Sequence, residues 1–95
     1  MLVHVVCFKY KAETDEATRA EHLARLAAMR ELDGVVDLKA GPDVVRSARS
    51  YDAGLVVIFP DRAAHDAYQR DPLHVPVARL GASISESVVV VDIEG

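Results

Sequence analysis

Three of the extended segments in this 95-residue chain are apolar on both faces, and no other feature constrains its fold as much. Residues 2–10 place Leu2, His4, Val6, Phe8 and Tyr10 on one side and Val3, Val5 and Cys7 on the other. Residues 53–59 set Leu55, Val57 and Phe59 against Val56 and Ile58, and residues 88–93 are mostly valine. A strand with one wet face alternates apolar and polar side chains, so strands like these need cover on both sides.

The rest of the chain supplies only part of that cover. Thr14-Asp15-Glu16 reads as a helix start with an acidic first turn, and Ala, Leu, Arg and Glu carry the helix to about residue 32. Its expected inner stripe is Ala20, Leu23, Leu26 and Ala27, with Asp33-Gly34 as the stop. Residues 35–40 alternate as another strand, broken by Gly41-Pro42-Asp43, and residues 46–50 read as loop. Pro60-Asp61 leaves the third strand and caps a helix over residues 61–70 whose inner side is Ala64, Ala67 and Tyr68. Asp71-Pro72 interrupts it, helix resumes over residues 73–80, and residues 81–86 read as a polar turn before the last strand.

The order β-α-β-β-α-β is the split βαβ pattern of a ferredoxin-like α+β sandwich, here a single domain over residues 1–95. Two helices cover only one face of a four-stranded sheet, which leaves Val3, Val5, Cys7, Val56, Ile58 and one face of residues 88–93 bare. Half of the residues, 51%, are hydrophobic, while a chain of this length buries only about 60–70% of its unfolded surface. The expected partner is a second copy packed sheet to sheet, a homodimer that closes a dimeric α/β barrel.

Charge and cysteine content narrow the function classes. Net charge is −4 and there is no basic run, which excludes nucleic acid as an expected partner. Apolar runs of a few residues are far short of the ~20 that span a bilayer, so no membrane partner is expected. The N-terminus meets Lys9 and Lys11 too early for a secretory leader, and the single Cys7 suits a reducing compartment; the expected location is cytoplasmic.

Among residues able to carry chemistry, His22 falls on the polar side of the first helix and reads as solvated, and His65 reads as surface. No His-x₃-His or Cys-x₂-Cys spacing occurs, so no metal site is expected, and no Gly-rich phosphate loop or nucleophile elbow is present. Cys7 reads as a small core residue. His4 shares its face with Val6 and Phe8, His74 follows the helix break, and Tyr68 lies six residues before it. Two imidazoles and a phenol around one apolar cavity suffice for acid–base work on a bound organic molecule.

The opening from His4 through Phe8 to Tyr10, the Gly41-Pro42-Asp43 turn, Tyr51-Asp52 before a strand ending at Phe59, and Tyr68-x-x-Asp71-Pro72-x-His74 resemble the stress-responsive α/β-barrel (Dabb) family. The resemblance covers nearly the whole chain. It implies a dimeric ferredoxin-like barrel and, through a plant polyketide cyclase of the family, aldol-type ring closure with no cofactor and no metal. It implies His74 as general base, Tyr68 as the hydroxyl that polarises the substrate, and His4 as the supporting strand histidine. Phe8, Leu55 and Val77 are the expected substrate-binding wall. The chain departs from the cyclase at Asp71, in place of the first histidine of His-Pro-x-His, and at Ala53, where the cyclase has another histidine, so substrate identity is not inherited.

The resulting expectation is a homodimeric Dabb-type protein that binds a small apolar or polyketide-like molecule, with acid–base catalysis of the cyclase or lyase type as its enzymatic form. Two alternatives come from other classes. One is a stress-associated structural or binding module, for which a side-chain-filled interior is expected. The other is a cofactor-independent monooxygenase of the related dimeric barrel type, which the lack of Trp disfavours.

Overall fold

Two aspartates determine where the helices start. Asp15 accepts a hydrogen bond from the Thr18 amide at 2.8 Å and Asp61 accepts one from the Ala64 amide at 2.9 Å, each capping orphan N–H groups of a first turn. The computed structural model describes all 95 residues, Met1–Gly95. Its elements are β1 (Leu2–Tyr10), α1 (Glu16–Ala28) with a 3₁₀ turn Met29–Glu31, β2 (Asp37–Pro42), β3 (Ala53–Phe59), α2 (Arg62–Arg70), α3 (His74–Ile84) and β4 (Ser85–Glu94). The strands form one antiparallel sheet in the order β2-β3-β1-β4. This is the ferredoxin-like α+β fold expected from the element order.

The core lies between the helices and one face of the sheet. Leu2, Val6, Phe8 and Tyr10 of β1 and Leu55, Val57 and Phe59 of β3 are buried there with Leu26, Met29, Tyr68 and Val77. Burying each large apolar side chain contributes roughly 1.5–3 kcal/mol relative to exposure. On the opposite face Val56, Val89, Val91 and Ile93 remain exposed, as the two-sided pattern required.

Five expectations need correction. Residues 41–43 do not break the second strand: Gly41 and Pro42 pair with Gly54 and Ala53, and β2 is an edge, where a proline lacking its N–H is tolerated. Residues 81–86 are not a turn, because α3 runs unbroken to Ile84 and β4 begins at Ser85. Gly81 belongs in that helix because a Cβ there would lie 2.9 Å from His22 Nε2 and 3.2 Å from Phe8 Cε1; only glycine lets α3 approach so closely. The inner stripe of α1 is displaced from the expected one: Ala20 and Ala27 are exposed, while His22, Leu26 and Met29 are buried at helical spacing. Ala67 of α2 is likewise exposed, outside the stripe of Ala64 and Tyr68. Finally, β4 is bare on both faces, since the helices cover β1 and β3 and leave Val88 and Val90 exposed too.

Candidate active site

The gap left between the helices and β4 is a cavity of about 370 Å³. Phe8, Leu55 and Val77, the expected apolar wall, all line it, together with Val6, Leu26, Val88 and Val90. All four histidines of the chain line it as well, with Asp92 and Gln69.

At one end His4 projects from the helix-side face of β1. The β1–β4 register sets it directly opposite Asp92, and His4 Nδ1 meets Asp92 Oδ1 at 2.5 Å. Asp92 accepts the proton on Nδ1, which leaves the lone pair of Nε2 free. His4 is buried, while the Asp92 side chain is about a third exposed. His65, in the first turns of α2, is half-buried rather than surface: its ring sits 5.1 Å from His4 and 5.6 Å from Phe59, both edge-on. His65 Nε2 lies 3.6 Å from Asp92 Oδ1, and Asp66 Oδ1 lies 3.1 Å from its Nδ1.

His74 is placed by the helix break. The Asp71 side chain accepts from the Leu73 amide at 2.8 Å, and the Asp71 carbonyl accepts from the His74 amide at 2.9 Å, forming a turn that delivers His74 as the first residue of α3. Asp71 is thus the hinge of the turn. His74 is buried, and burial pushes its pKa below the ordinary imidazole value, reinforced by His4 and His65 and opposed by the Gln69 carbonyl and Asp71. Nδ1 is buried without a hydrogen-bond partner, so Nε2 is the nitrogen that can meet a molecule in the cavity.

Tyr68 stands behind this wall. Its ring packs 4.2 Å from that of His74 and 6.3 Å from that of His4. It is only 1% exposed, its hydroxyl has no partner, and burial pushes its pKa up to about 12. The three expected site residues are therefore gathered in one cluster, with two at the cavity surface and the phenol beneath them. Ala53 is buried and takes no part in the lining.

The other end is closed by His22, which is fully buried and not solvated as expected. Tyr10, whose pKa burial raises to about 12, offers its hydroxyl to His22 Nδ1 at 2.8 Å. Burial, followed by the nearby Arg25 charge, holds the His22 pKa down. Nε2, on the side facing Gly81, is buried without a hydrogen-bond partner. Its helical spacing to Leu26 and Met29 was the available signal.

The ligand atoms of His4, His65 and Asp92 lie within 4.8 Å of one another, a set with metal-binding character. Local sequence spacing does not reveal a grouping drawn from three elements. Asp92 was missed for the same reason: only strand register brings it to His4.

The sequence matches the family described as Stress responsive A/B Barrel Domain (Dabb) over residues 2–95. The chain belongs to the Dabb family. Among solved structures, this Dabb chain is 28% identical to a dimeric ferredoxin-like protein of unknown function from Jannaschia sp. CCS1, covering 99% of this chain and 98% of that one, with a TM-score of 0.83. A dimeric ferredoxin-like protein of unknown function from Thermobifida fusca YX superposes with a TM-score of 0.90 at 18% identity, over 99% of this chain and 90% of that one. A hydroxynitrile lyase from Passiflora edulis shares the fold with a TM-score of 0.87 at 16% identity, over 97% and 90% of the two chains. Among curated proteins none matches the sequence. No helix of this Dabb protein is long and apolar enough to cross a membrane.

Proposed function

We propose that this Dabb protein binds a small, largely apolar carbonyl compound in the helix–sheet cavity and moves protons on it, as a cyclase or lyase does. The observation that carries this reading is the convergence of His74 and the Asp92-backed His4 on one apolar cavity of about 370 Å³. A purely structural module would be expected to fill such a space with side chains.

In this reading His74 Nε2 removes a proton from carbon next to the carbonyl, and the C–H electron pair moves to the oxygen as an enolate. A pKa lowered by burial keeps the His74 ring unprotonated, and so available as a base, at neutral pH. His4, oriented by its hydrogen bond to Asp92, is the partner acid: protonated from solvent at Nε2, it passes that proton to the enolate oxygen. Tyr68 holds the His74 ring in place, a positioning residue whose hydroxyl becomes a donor if a bound molecule shifts that ring. Phe8, Leu55 and Val77 take up the apolar body and exclude water. The lyase among the structural neighbours supports the fold as a host for such chemistry and nothing finer. The working unit in this reading is a homodimer, supported by the bare apolar outer face and by the dimeric neighbours.

The test is exchange of the α-protons of a medium-chain β-diketone in D₂O, followed by NMR. The native protein is expected to accelerate exchange above buffer, and His74→Ala to return it to the buffer rate with circular dichroism and oligomeric state unchanged. Equal rates for the two proteins would sink the assignment of His74.

A further inference from the structure

We propose that His4, His65 and Asp92 form a binding site for a divalent first-row metal ion of the Zn²⁺ class, with its open coordination position facing the cavity. The inference goes beyond the proton-transfer reading and does not depend on it. Three ligands of the types zinc favours come from three separate elements, β1, α2 and β4, and their donor atoms lie within 4.8 Å of one another.

The hydrogen-bonding pattern around His65 gives a second, independent reason. The Gln69 amide nitrogen, a donor, lies 3.4 Å from His65 Nε2, while Asp66 Oδ1, an acceptor, lies 3.1 Å from Nδ1. Nδ1 therefore carries the hydrogen and Nε2 a lone pair. The same Nε2 lies 3.6 Å from the Asp92 carboxylate oxygen, too long for a direct hydrogen bond and with room for a cation between the two atoms once the long Gln69 contact is released. The Asp66 contact is also the outer-shell carboxylate that orients a metal-bound imidazole.

The geometry needs the pocket to close on the ion, since the three donor atoms span up to 4.8 Å. Zinc ligands at about 2.0–2.1 Å in a tetrahedron are roughly 3.3 Å apart. Asp92 Oδ1 is 2.5 Å from His4 Nδ1 and 3.6 Å from His65 Nε2, so the two pairs bracket that spacing. The ion would displace the proton shared by His4 and Asp92 and the long Gln69 contact, so His4 does not serve as the acid while the ion is bound. Three protein ligands leave a fourth position, and because His4, His65 and Asp92 all line the cavity, a carboxylate or carbonyl oxygen of a bound molecule can take it.

The experiment titrates chelator-treated full-length protein with ZnCl₂ by calorimetry and with CoCl₂ by visible absorption. One ion per chain is expected, with a Co²⁺ spectrum of nitrogen and oxygen ligation and no thiolate charge-transfer band. His65→Ala and Asp92→Ala should each weaken Zn²⁺ at least tenfold, and Asp66→Asn about tenfold as an outer-shell partner. His65 is not fully buried and lies near the start of α2, so His65→Ala is expected to fold, and circular dichroism checks it. His74→Ala should bind Zn²⁺ as the native protein does, which separates this site from the proposed base. No saturable binding, undiminished affinity in both ligand variants, or a thiolate band that vanishes in Cys7→Ser would each overturn the proposal.

Discussion

Replacing Gly81 by alanine should destabilise the native protein and stabilise one that lacks the His22 ring. Gly81 is buried within α3, where alanine would ordinarily be better by about 1 kcal/mol through helix propensity. The added Cβ, however, would meet His22 Nε2 at 2.9 Å and Phe8 Cε1 at 3.2 Å. Neither neighbour can swing away: His22 is fully buried and tied to Tyr10 at 2.8 Å, and Phe8 is buried in the core. Overpacking of this kind costs about 1–3 kcal/mol, so the net loss is about 1 kcal/mol, or roughly 4–8 °C in Tm for a domain of this size. In a His22→Ala background the closer contact is gone and Gly81→Ala should instead gain up to about 1 kcal/mol. The coupling between the two sites, read from urea unfolding of the four proteins at one fixed chain concentration, is therefore expected at about 1–3 kcal/mol. A coupling within about 0.5 kcal/mol of zero would mean that α3 does not rest on His22 and that the close approach assigned to Gly81 is mistaken.

Four further outcomes can be checked. His22 and His74 have pKa values lowered by burial, so the unfolded chain binds more protons below its ordinary imidazole value near 6.5; stability should be full above that pH and fall as pH drops below it, and a urea midpoint unchanged between pH 7.5 and 5.5 would contradict this. Tyr68→Phe removes a buried hydroxyl without a partner and should leave stability equal or higher, whereas a loss above about 1 kcal/mol would reveal a hydrogen bond not accounted for. Light scattering should give twice the 10.3 kDa chain mass, and Val91→Glu, which puts a charge on the bare outer face opposite Val5, should give the monomer; a native monomer at micromolar concentration would end the dimer reading. Asp71→Ala, which removes the side-chain acceptor from the turn before α3, should cost about 1 kcal/mol and shift the His74 imidazole resonances, and unchanged resonances would show that this turn does not place the ring.

The backbone plan of this chain was legible because its signals are local. The period of two in residues 2–10 and 53–59 reproduced β1 and β3 to the residue, and Asp15 and Asp61 announced the starts of α1 and α2. Phe8 and Leu55 of the apolar wall share the helix-side face set by the same alternation, whereas Val77 comes from α3. Local rules failed where a long-range contact overrode them. Gly81 reads as a breaker but is helical because α3 lies against His22, and Pro42 reads as a stop but sits on an edge strand that needs no N–H from it. His22 was misread because the inner stripe of α1 is rotated from the one its alanines suggest, and side-chain type alone does not decide which of two adjacent stripes meets the sheet.

From sequence alone came the element order, the two-sided strands and hence a sheet that needs a second apolar cover. These depend on periodicity and composition, which the chain carries in itself. Tertiary structure decided that four histidines and an aspartate share one cavity. His4 and Asp92 are 88 positions apart, and it is the pairing of β1 with β4 that sets them 2.5 Å from each other. Strand register is a property of the whole sheet: shifting it by one residue would turn Asp92 to the opposite face and leave His4 facing a valine or an isoleucine.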